Sequence, residues 1–364
     1  MSTGLPEGMV TPALVVDVDV MERNISRLAA AASAGGFAVR PHAKAHKCLE
    51  IADRQIGAGA VGLTVATVAE AEVFARGGAT DLFIAYPLWV DDSKARRLRR
   101  LAETAALRVG ADSVESVQRL GHAVRGTARP VEVVIEVDSG HHRTGVLPAD
   151  AAIVGKAAAD AGLDVAGVFT FPGHGYRRDP EARERAAREE ELALGEAAEV
   201  LNAVGLSARV VSGGSTPTAG QWRPGVVNEL RPGVYVFNDA TQLAIGTCSA
   251  ADLALCAVAT VVSVPASGRF VLDVGSKVLG SDRSPWVTGH GYLPVFPDAS
   301  VTSLSEHHAT VVLPEGIKAP SLGTVVAVVP NHVCTPVNLV DELVIVQGGQ
   351  IVDRWAVAAR GANT

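Results

Sequence analysis

Short apolar runs alternate with amphipathic stretches along most of the first two thirds of the chain. Such runs are typical of buried parallel strands, and stretches with an apolar face every three or four positions are typical of helices packed on them. The predicted strands are Phe37–Val39, Val61–Val65, Leu82–Ala85, Leu107–Gly110, Val131–Val137, Val165–Phe171, Ala208–Ser212 and Asn228–Leu230. About eight strand-then-helix units are the number that a closed (β/α)8 TIM barrel requires. Asp19 is predicted to cap the first helix, which ends near Gly35.

The pattern changes after Tyr235, where helical periodicity fades and β-rich runs follow one another. These runs are Cys256–Val264, Arg269–Leu272, Ala309–Leu313, Thr324–Val329, Glu342–Gln347 and Ile351–Val357. Turn residues at 265–268 and 348–349 separate some of them, so we predict an antiparallel β domain, which the early strand Ala13–Val18 is expected to join. The predicted fold class is α/β plus β, with a barrel over 19–240 and a C-terminal β domain formed by 1–18 plus 241–364.

The composition narrows the class of protein. The chain has 364 residues, of which 48% are hydrophobic and 20% charged, as in a globular protein with ample core. The net charge of −7 gives no basic surface for nucleic acid, and no apolar run reaches the roughly 20 residues that cross a bilayer. The four cysteines lie far apart and the N-terminus lacks a signal-peptide pattern. We therefore expect a reduced, cytoplasmic protein without membrane or nucleic-acid partners.

The first polar cluster lies at the end of the first barrel strand, where a barrel carries functional groups. Residues 40–47 read Arg-Pro-His-Ala-Lys-Ala-His-Lys and place Lys44 among His42, His46 and Lys47. A lysine in a cationic group can have its pKa lowered enough to form a Schiff base with an aldehyde. A solvated basic loop is the alternative, and this segment alone does not decide between them.

A glycine-rich segment, Ser-Gly-Gly-Ser-Thr, follows a late strand of the predicted barrel. Glycines let backbone N–H groups point at an anion and hydroxyls add donors, so Gly214, Ser215 and Thr216 are candidate phosphate ligands. Loops after the seventh and eighth strands of a barrel often bind phosphate. The Arg-Pro-Gly after the next strand adds the amide of Gly233. Each loop is also compatible with an ordinary turn.

Two further strand ends carry charged or aromatic groups. The segment 136–145 places Arg143 after an apolar strand, where its guanidinium can balance a phenolate or a carboxylate. The segment 172–176 places His174 and Tyr176, an imidazole and a phenol, near the same barrel mouth. An ordinary polar loop and an ordinary glycine-rich turn are the alternatives.

His332 and Cys334 lie in the β-rich part of the chain. Two residues apart on an extended chain, they point to the same side and can bind one metal ion. A thiolate–imidazole pair favours zinc, and two protein ligands leave positions open for water or substrate, as in a catalytic site. The spacing alone also arises by coincidence.

In their order along the chain, these segments resemble the fold-type III, alanine-racemase-like enzymes that use pyridoxal 5'-phosphate (PLP). The resemblance is to the D-threonine aldolase / D-serine dehydratase group and runs nearly end to end. The segments that carry it are 11–17, 40–47, 212–216, 229–235, 273–277 and 332–334. Each segment is weak alone, but their order and spacing together are specific.

The resemblance implies a role for each candidate residue. Lys44 would be the Schiff-base lysine, Arg143 would face the phenolic oxygen of PLP, and a divalent metal would be bound by His332 and Cys334, with zinc favoured over manganese or magnesium. The remaining residues implied to bind PLP are His42, Tyr176, Gly214, Ser215, Thr216, Gly233 and Tyr235. Enzymes of this group are head-to-tail homodimers in which the β domain of one subunit covers the barrel mouth of the other.

The resemblance also implies a lyase acting on a small-molecule substrate, a 3-hydroxy-D-amino acid. Loss of the Cα proton and then of hydroxide gives dehydration, whereas deprotonation of the hydroxyl leads to Cα–Cβ cleavage. Aldolases of the group tend to show His-x-Asp and dehydratases His-x-Cys. Cys334 therefore favours a D-serine dehydratase-like β-elimination to a 2-oxo acid and ammonia. Retro-aldol cleavage to glycine and an aldehyde, as in D-threonine aldolase, is the alternative.

Two segments depart from the group and leave the side chain of the natural substrate open. Residues 305–308 read Ser-Glu-His-His where the group has Ser-Glu-Glu-His, and residues 140–143 are unusually rich in histidine. Three rival functions fit less well. An amino-acid racemase needs a second base, usually a tyrosine of the β domain, and the surroundings of Tyr292 do not resemble the racemase pattern. A non-catalytic PLP carrier would resemble the barrel alone, and a metal-dependent hydrolase would leave the glycine-rich loop unexplained.

Overall fold

The structure is a computed structural model that describes residues 8–266 and 268–364. Residues 1–7, which the predicted β domain includes, and Ser267 of the predicted turn at 265–268 lie outside the described residues. In the part of the chain that is described, no helix has the length and apolar character needed to span a membrane.

The strands, in chain order, are β1 Ala13–Asp17, β2 Ala38–Val39, β3 Leu63–Val65, β4 Asp81–Pro87, β5 Ala106–Ala111, β6 Val131–Glu136, β7 Asp164–Phe169, β8 Val210–Gly213, β9 Glu229–Leu230, β10 Leu255–Ala266, β11 Arg269–Leu272, β12 Ser300–Leu304, β13 Ala309–Val312, β14 Val325–Val328, β15 Glu342–Gln347 and β16 Gln350–Ala356. The helices are α1 Val18–Gly35, α2 Leu49–Gly57, α3 Val68–Arg76, α4 Asp92–Thr104, α5 Val114–Val124, α6 Ala151–Asp160, α7 Pro180–Ala203, α8 Ala240–Ala244, α9 Ser276–Leu279 and α10 Cys334–Leu339.

The described chain divides into two compact units. The barrel unit contains residues 28–44, 52–233 and 362–364, and the β unit contains residues 8–27, 45–51 and 234–361. The short segment that directly follows Lys44 thus belongs to the β unit. The boundaries given from sequence, 19–240 against 1–18 plus 241–364, stay a prediction.

The barrel unit is built on eight parallel strands in the order β2-β9-β8-β7-β6-β5-β4-β3. The two ends of this order are joined by a parallel bridge between His42 and Thr64. The N–H groups of Val61 and Thr64 also donate to the carbonyl oxygens of Val39 and Pro41, both at 2.9 Å. The sheet therefore curls round on itself, and the predicted combination of a (β/α)8 barrel and a β domain is confirmed.

A glycine allows two barrel strands to approach closely. Gly167 in β7 has a φ of 151°, and a Cβ atom there would lie 1.9 Å from the carbonyl oxygen of Val210 in β8. Any other residue would push β7 and β8 apart, because only glycine adopts this conformation without a clash.

A buried arginine ties three strands together where the barrel closes. Arg40 follows β2 and is 1% exposed. Its Nε donates to Oε2 of Glu229 in β9 at 2.8 Å, and its Nη1 donates to Oδ1 of Asp81 in β4 at 2.6 Å. Because a buried charge is costly without partners, the two carboxylates are what make Arg40 tolerable there.

The β unit is built on a sheet in the order β12-β13-β11-β10-β1-β15-β16, with β14 also paired to β10. The described pairs are antiparallel except β1 with β15. Val15 in β1 lies opposite Cys256 in β10 on one side and Val344 in β15 on the other. The early strand thus joins the C-terminal sheet, as expected from the sequence.

One strand was missed and one predicted helix cap was wrong. β12 was not predicted, because its alternating serines and threonines give no apolar run. The first helix is capped by Asp17, whose Oδ1 accepts from the N–H of Val20 at 3.1 Å. The predicted cap, Asp19, lies inside the first turn instead and accepts from Nε2 of Gln347.

Candidate active site

Side chains from three strand-end loops of the barrel unit surround the ring of Phe171, two residues beyond β7. Measured to the ring centroid, Nζ of Lys44 lies at 5.9 Å and Cζ of Arg143 at 5.3 Å. The rings of His141 and Tyr176 lie at 5.6 and 6.4 Å between centroids. The structure therefore brings together Lys44, Arg143 and Tyr176, which the sequence singled out separately. Both cations lie within the range of roughly 6 Å at which an aromatic face attracts them.

The loop that carries Arg143 is folded around the side chain of Asp138. Oδ1 accepts from the N–H groups of Gly140 and His142 at 2.9 and 3.0 Å, and Oδ2 lies 2.7 Å from Nδ1 of His142. Desolvation raises the pKa of Asp138, but these hydrogen bonds outweigh it and lower the pKa. The ionised carboxylate thus fixes the loop.

Glu136 ends β6 and is buried beneath the same loop. Its Oε1 accepts from Oγ1 of Thr144 at 2.8 Å, and its buried Oε2 has no hydrogen-bond partner among the described residues. Burial raises the pKa of Glu136, an effect that the hydrogen bond and the charge of Arg143 partly offset. Glu136 therefore leaves one buried polar oxygen without a hydrogen-bond partner among the described residues at this strand end.

Two histidines at neighbouring strand ends line the same region. A Cβ atom on Gly173 would lie 2.6 Å from the ring of His141, and Nε2 of His174 lies 3.1 Å from Oε2 of Glu189. Burial and the charge of Arg143 lower the pKa of His141. The neutral form of His141 is therefore favoured, and a neutral imidazole can donate or accept a hydrogen bond.

The glycine-rich loop after β8 already uses two of its amides within the barrel unit. The N–H of Gly214 donates to Oε1 of Glu190 at 2.6 Å, and the N–H of Ser215 donates to Oγ1 of Thr218 at 3.0 Å. Gly214 has a φ of 82°, and a Cβ atom there would lie 2.8 Å from the ring of Trp222. Glycine is therefore required at this turn, and Glu190 holds the loop from below.

The carboxyl of Glu190 in α7 is enclosed by protein. Burial raises its pKa to about 7, although the N–H of Gly214 and the charge of Arg231 act in the opposite direction. The group is thus close to half-protonated at neutral pH, which reduces its repulsion toward an anion at the loop.

Arg231 follows β9 and is buried at the centre of the barrel. Its Nε donates to Oγ of Ser212 at 2.9 Å, and its Nη2 donates to the carbonyl oxygen of Thr170. Its guanidinium lies over the rings of Phe83 and Phe169, at 5.6 and 5.1 Å. Arg231 therefore joins three strand ends.

His42, Gly233 and Tyr235 are further candidates for cofactor binding. The N–H of His42 donates to the carbonyl oxygen of Pro232 at 3.0 Å, so His42 lies beside Gly233. Tyr235 is 7% exposed and lies in the 3-10 turn Val234–Val236 of the β unit.

The metal pair lies in the β unit, but not on an extended chain as predicted. His332 follows β14 after a turn, and Cys334 is the first residue of α10. Pro336, at the third position of α10, favours the first turn of a helix and explains the difference. The two side chains still interact through a hydrogen bond. Burial lowers the pKa of His332, but the Cys334 sulfur and the Asp239 carboxylate raise it to about 11.

Asp239 is fully buried and faces His332 from the start of α8. Its Oδ2 lies 3.1 Å from Nδ1 of His332. Within the described ranges 8–266 and 268–364, no three histidine, cysteine, aspartate or glutamate side chains form a group that could hold a metal. His332 and Cys334 thus remain candidate metal ligands, and the Asp239 carboxylate lies behind the imidazole.

The predicted site residues fall in both units. Those of the barrel unit are Lys44, His42, Arg143, Tyr176, Gly214, Ser215, Thr216 and Gly233, and those of the β unit are Tyr235, His332 and Cys334. Sequence reasoning missed Phe171, Glu190, Arg231 and Asp239 as functional side chains. Only Asp239 carried a usable signal, since an aspartate before a short helical run is typical of a helix cap.

Two protein families match the chain. Residues 16–241 match the family described as alanine racemase, N-terminal domain, and residues 254–346 match the putative serine dehydratase domain. The chain belongs to the alanine racemase N-terminal domain family. This confirms the resemblance drawn from the sequence motifs.

Two relatives of this family member match nearly its whole length. It is 36% identical over 346 residues to the D-threo-3-hydroxyaspartate dehydratase of Delftia sp. (strain HT23), covering 89% of this chain and 90% of that protein. It is 34% identical over 360 residues to the D-threonine aldolase of Arthrobacter sp., covering 96% and 93%.

Solved structures give the same result for the fold. The D-threonine aldolase from Filomicrobium marinum matches with a TM-score of 0.89 at 32% identity over 100% of both chains. The Delftia dehydratase matches with a TM-score of 0.90 at 33% identity over 96% of this chain and 97% of that one. A D-threo-3-hydroxyaspartate dehydratase has also been solved with a cysteine replaced by alanine, in the metal-free form, and with a histidine two positions earlier replaced by alanine.

Proposed function

We propose that this protein is a PLP-dependent lyase acting on 3-hydroxy-D-amino acids, with D-serine dehydratase-like β-elimination to a 2-oxo acid and ammonia. The observation that carries the proposal is the meeting of Lys44 and Arg143 on the ring of Phe171. It is supported by the two relatives, one named a dehydratase and one an aldolase of 3-hydroxy-D-amino acids.

The residues around Phe171 fit PLP. Such a site needs a lysine amine, a cation for the phenolic oxygen and donors for the phosphate. Lys44 and Arg143 are the first two, and the unpartnered oxygen of Glu136 supports a polar guest beside Arg143. For the rest of PLP binding we propose His42, Tyr176, Gly214, Ser215, Thr216, Gly233 and Tyr235.

When bound, PLP supplies an electron sink for the bond broken at the substrate Cα. Each side chain then has its own task. Lys44 moves the proton at Cα through its Nζ, the Phe171 ring excludes water beside that nitrogen, and Arg143 keeps a fixed positive charge at the mouth. Asp138 holds the Arg143 loop in place.

His332 and Cys334 are the proposed ligands of a divalent metal, which when bound acts as a Lewis acid on the substrate hydroxyl. A thiol and an imidazole favour zinc over manganese or magnesium. The two dehydratase variants, altered at a histidine and a cysteine with the same spacing and solved metal-free in the second case, support this assignment.

We also propose the head-to-tail homodimer that the sequence resemblance implies. Sedimentation equilibrium of the purified protein should give twice the mass of the chain, and a mass equal to that of one chain would contradict it.

Retro-aldol cleavage to glycine and an aldehyde is the second candidate. It is favoured by the match to the D-threonine aldolases, one of which covers this chain completely. Cys334 keeps elimination as the first choice, because the aldolases of the group tend to carry aspartate there.

Product analysis with PLP-loaded enzyme decides between them. Elimination converts D-serine to pyruvate, D-threonine to 2-oxobutyrate and D-threo-3-hydroxyaspartate to oxaloacetate. Cleavage of the last two gives glycine with acetaldehyde or with glyoxylate. Conversion of D- to L-isomers without other products would instead indicate a racemase, and absence of turnover with PLP bound would favour a carrier.

A further inference from the structure

We propose that Asp239 is a positioning residue that fixes the orientation and the tautomer of the His332 imidazole for metal binding. The inference rests on the proposed metal site of the preceding subsection. Asp239 lies 93 positions before His332 along the chain.

The carboxylate of Asp239 is held on both of its oxygens. Oδ1 accepts from the N–H of Gln242 at 2.9 Å and so caps α8, which fixes the side-chain rotamer. Oδ2 faces Nδ1 of His332 at 3.1 Å and the N–H of Val333 at 3.4 Å. With 0% exposure, the carboxylate has no competing water contact at the surface.

The backbone on both sides of this contact is also joined. The N–H of Ala240 donates to Pro330 at 3.0 Å, and the N–H and Oγ1 of Thr241 donate to the carbonyl oxygen of Asn331 at 3.2 and 2.6 Å. The start of α8 therefore holds the chain directly before His332. These hydrogen bonds fix the backbone that leads to the imidazole.

A carboxylate oxygen can only accept, so Nδ1 of His332 must be the protonated nitrogen of the metal-binding tautomer. The lone pair then lies on Nε2, and the ring cannot rotate without breaking the Oδ2 contact. Metal-binding histidines commonly donate their second N–H to a carboxylate, and losing that partner typically weakens metal binding by about 10- to 100-fold.

A purely structural role as a helix cap predicts a different result, and one substitution separates the two roles. Serine is as good an N-cap as aspartate, so Asp239→Ser keeps the cap of α8 while removing the carboxylate that faces His332. Asp239→Asn keeps an acceptor oxygen on the side chain and most of the shape of the aspartate side chain. Asp252→Asn is the matched control, since Asp252 is a buried carboxylate of the same unit that bonds Ser249 and Arg27 instead of His332.

The experiment uses full-length, PLP-loaded, metal-stripped protein titrated with Zn²⁺ or Mn²⁺ against a chromogenic chelator. We expect Kd to rise about 10- to 100-fold in Asp239→Ser and less in Asp239→Asn, with no change in Asp252→Asn or in the PLP absorption. A wild-type Kd in a folded Asp239→Ser protein would overturn the inference. If that variant does not fold, a wild-type Kd in Asp239→Asn has the same meaning.

A double-substitution cycle with His332→Ala gives a second test. When two residues act through one contact, the effects of their substitutions on affinity do not add. Asp239→Ser should therefore change the residual Zn²⁺ affinity little in the His332→Ala background. An equal loss in both backgrounds would overturn the inference. Failure of the wild-type protein to bind either metal would instead contradict the proposed metal site itself.

Discussion

Nζ of Lys44 lies 5.9 Å from the centroid of the Phe171 ring, whose other neighbours include the guanidinium of Arg143. The Phe171 ring thus contacts two cationic side chains, and cation–π attraction offsets part of their mutual repulsion. Phe171 therefore contributes to the placement of both groups, although it has no chemistry of its own.

Removal of the Phe171 ring should weaken PLP binding. We expect Phe171→Leu to raise the Kd for PLP about tenfold, because a desolvated cation–π contact is worth roughly 1–2 kcal/mol. Phe171→Tyr keeps the aromatic face and should bind nearly as well as wild type. Titration of apoenzyme with PLP, followed by visible absorption, measures both. Equal affinity of the leucine and wild-type proteins would remove the ring from the site.

Replacement of Lys44 should abolish the visible band that PLP acquires on a protein lysine. We expect Lys44→Ala to lose the band completely and to lose turnover by several orders of magnitude, because the proposed Schiff base forms on Nζ of Lys44. Lys156→Ala, an exposed lysine of α6, is the control and should retain both. A band of normal intensity in Lys44→Ala would mean that another residue carries PLP.

Loss of either proposed metal ligand should reduce metal-dependent turnover without affecting PLP binding. His332→Ala and Cys334→Ala should each lower EDTA-sensitive turnover at least 100-fold while leaving the PLP absorption unchanged, because both ligands lie in the β unit. Cys256→Ala, in the core of the same unit, is the thiol control. Wild-type turnover in both ligand variants would exclude the pair from the mechanism.

Glu190 should make the barrel less stable as the pH rises. Its pKa is raised from 4.5 in the unfolded chain to about 7, so the native state binds the extra proton between these values. The contribution of Glu190 to the free energy of unfolding is on the order of 3 kcal/mol. It is fully present below pH 4.5 and is lost as the pH rises to 7.

The measurement compares apoenzyme unfolding temperatures at pH 5 and pH 8. Glu190→Gln keeps an acceptor for Gly214 but cannot ionise, so it should be more stable than wild type at pH 8 and similar at pH 5. Glu196→Gln, exposed on the same helix, should show no such difference. A pH-independent effect of Glu190→Gln would show that the carboxyl is not the titrating group.

Arg40 should be the most sensitive charged residue of the barrel closure. Arg40→Met leaves Glu229 buried without its main partner, which should cost about 3–5 kcal/mol of unfolding free energy. Arg188→Met breaks an exposed pair with Glu184 and should cost less than about 1 kcal/mol. Thermal unfolding of both variants tests the contrast, and equal losses would contradict it.

The fold was predictable because burial on both faces of a parallel strand leaves continuous apolar runs, which sequence shows directly. The ends of such strands also predicted where Lys44, Arg143 and Tyr176 converge. The path from β14 to α10 was not predictable from the alternation of apolar and polar positions. A proline at the third position of a helix is equally compatible with the end of a helix. Phe171, Glu190 and Asp239 were missed for another reason. Each of them acts by contacting a residue that is distant along the chain. Glu190, for example, accepts a hydrogen bond from Gly214, which lies 24 positions later.

The position of β1 between β10 and β15 determines when the molecule can be completed during synthesis. β1 leaves the ribosome before β10 and β15, which carry the residues opposite Val15. At about 5–20 residues per second, β1 waits for tens of seconds with both edges unpaired. The barrel, encoded in between, has that time to fold. Nascent chains stalled before β15 should therefore carry a formed barrel and an unfinished sheet, and it is in this interval that the protein is most exposed to aggregation.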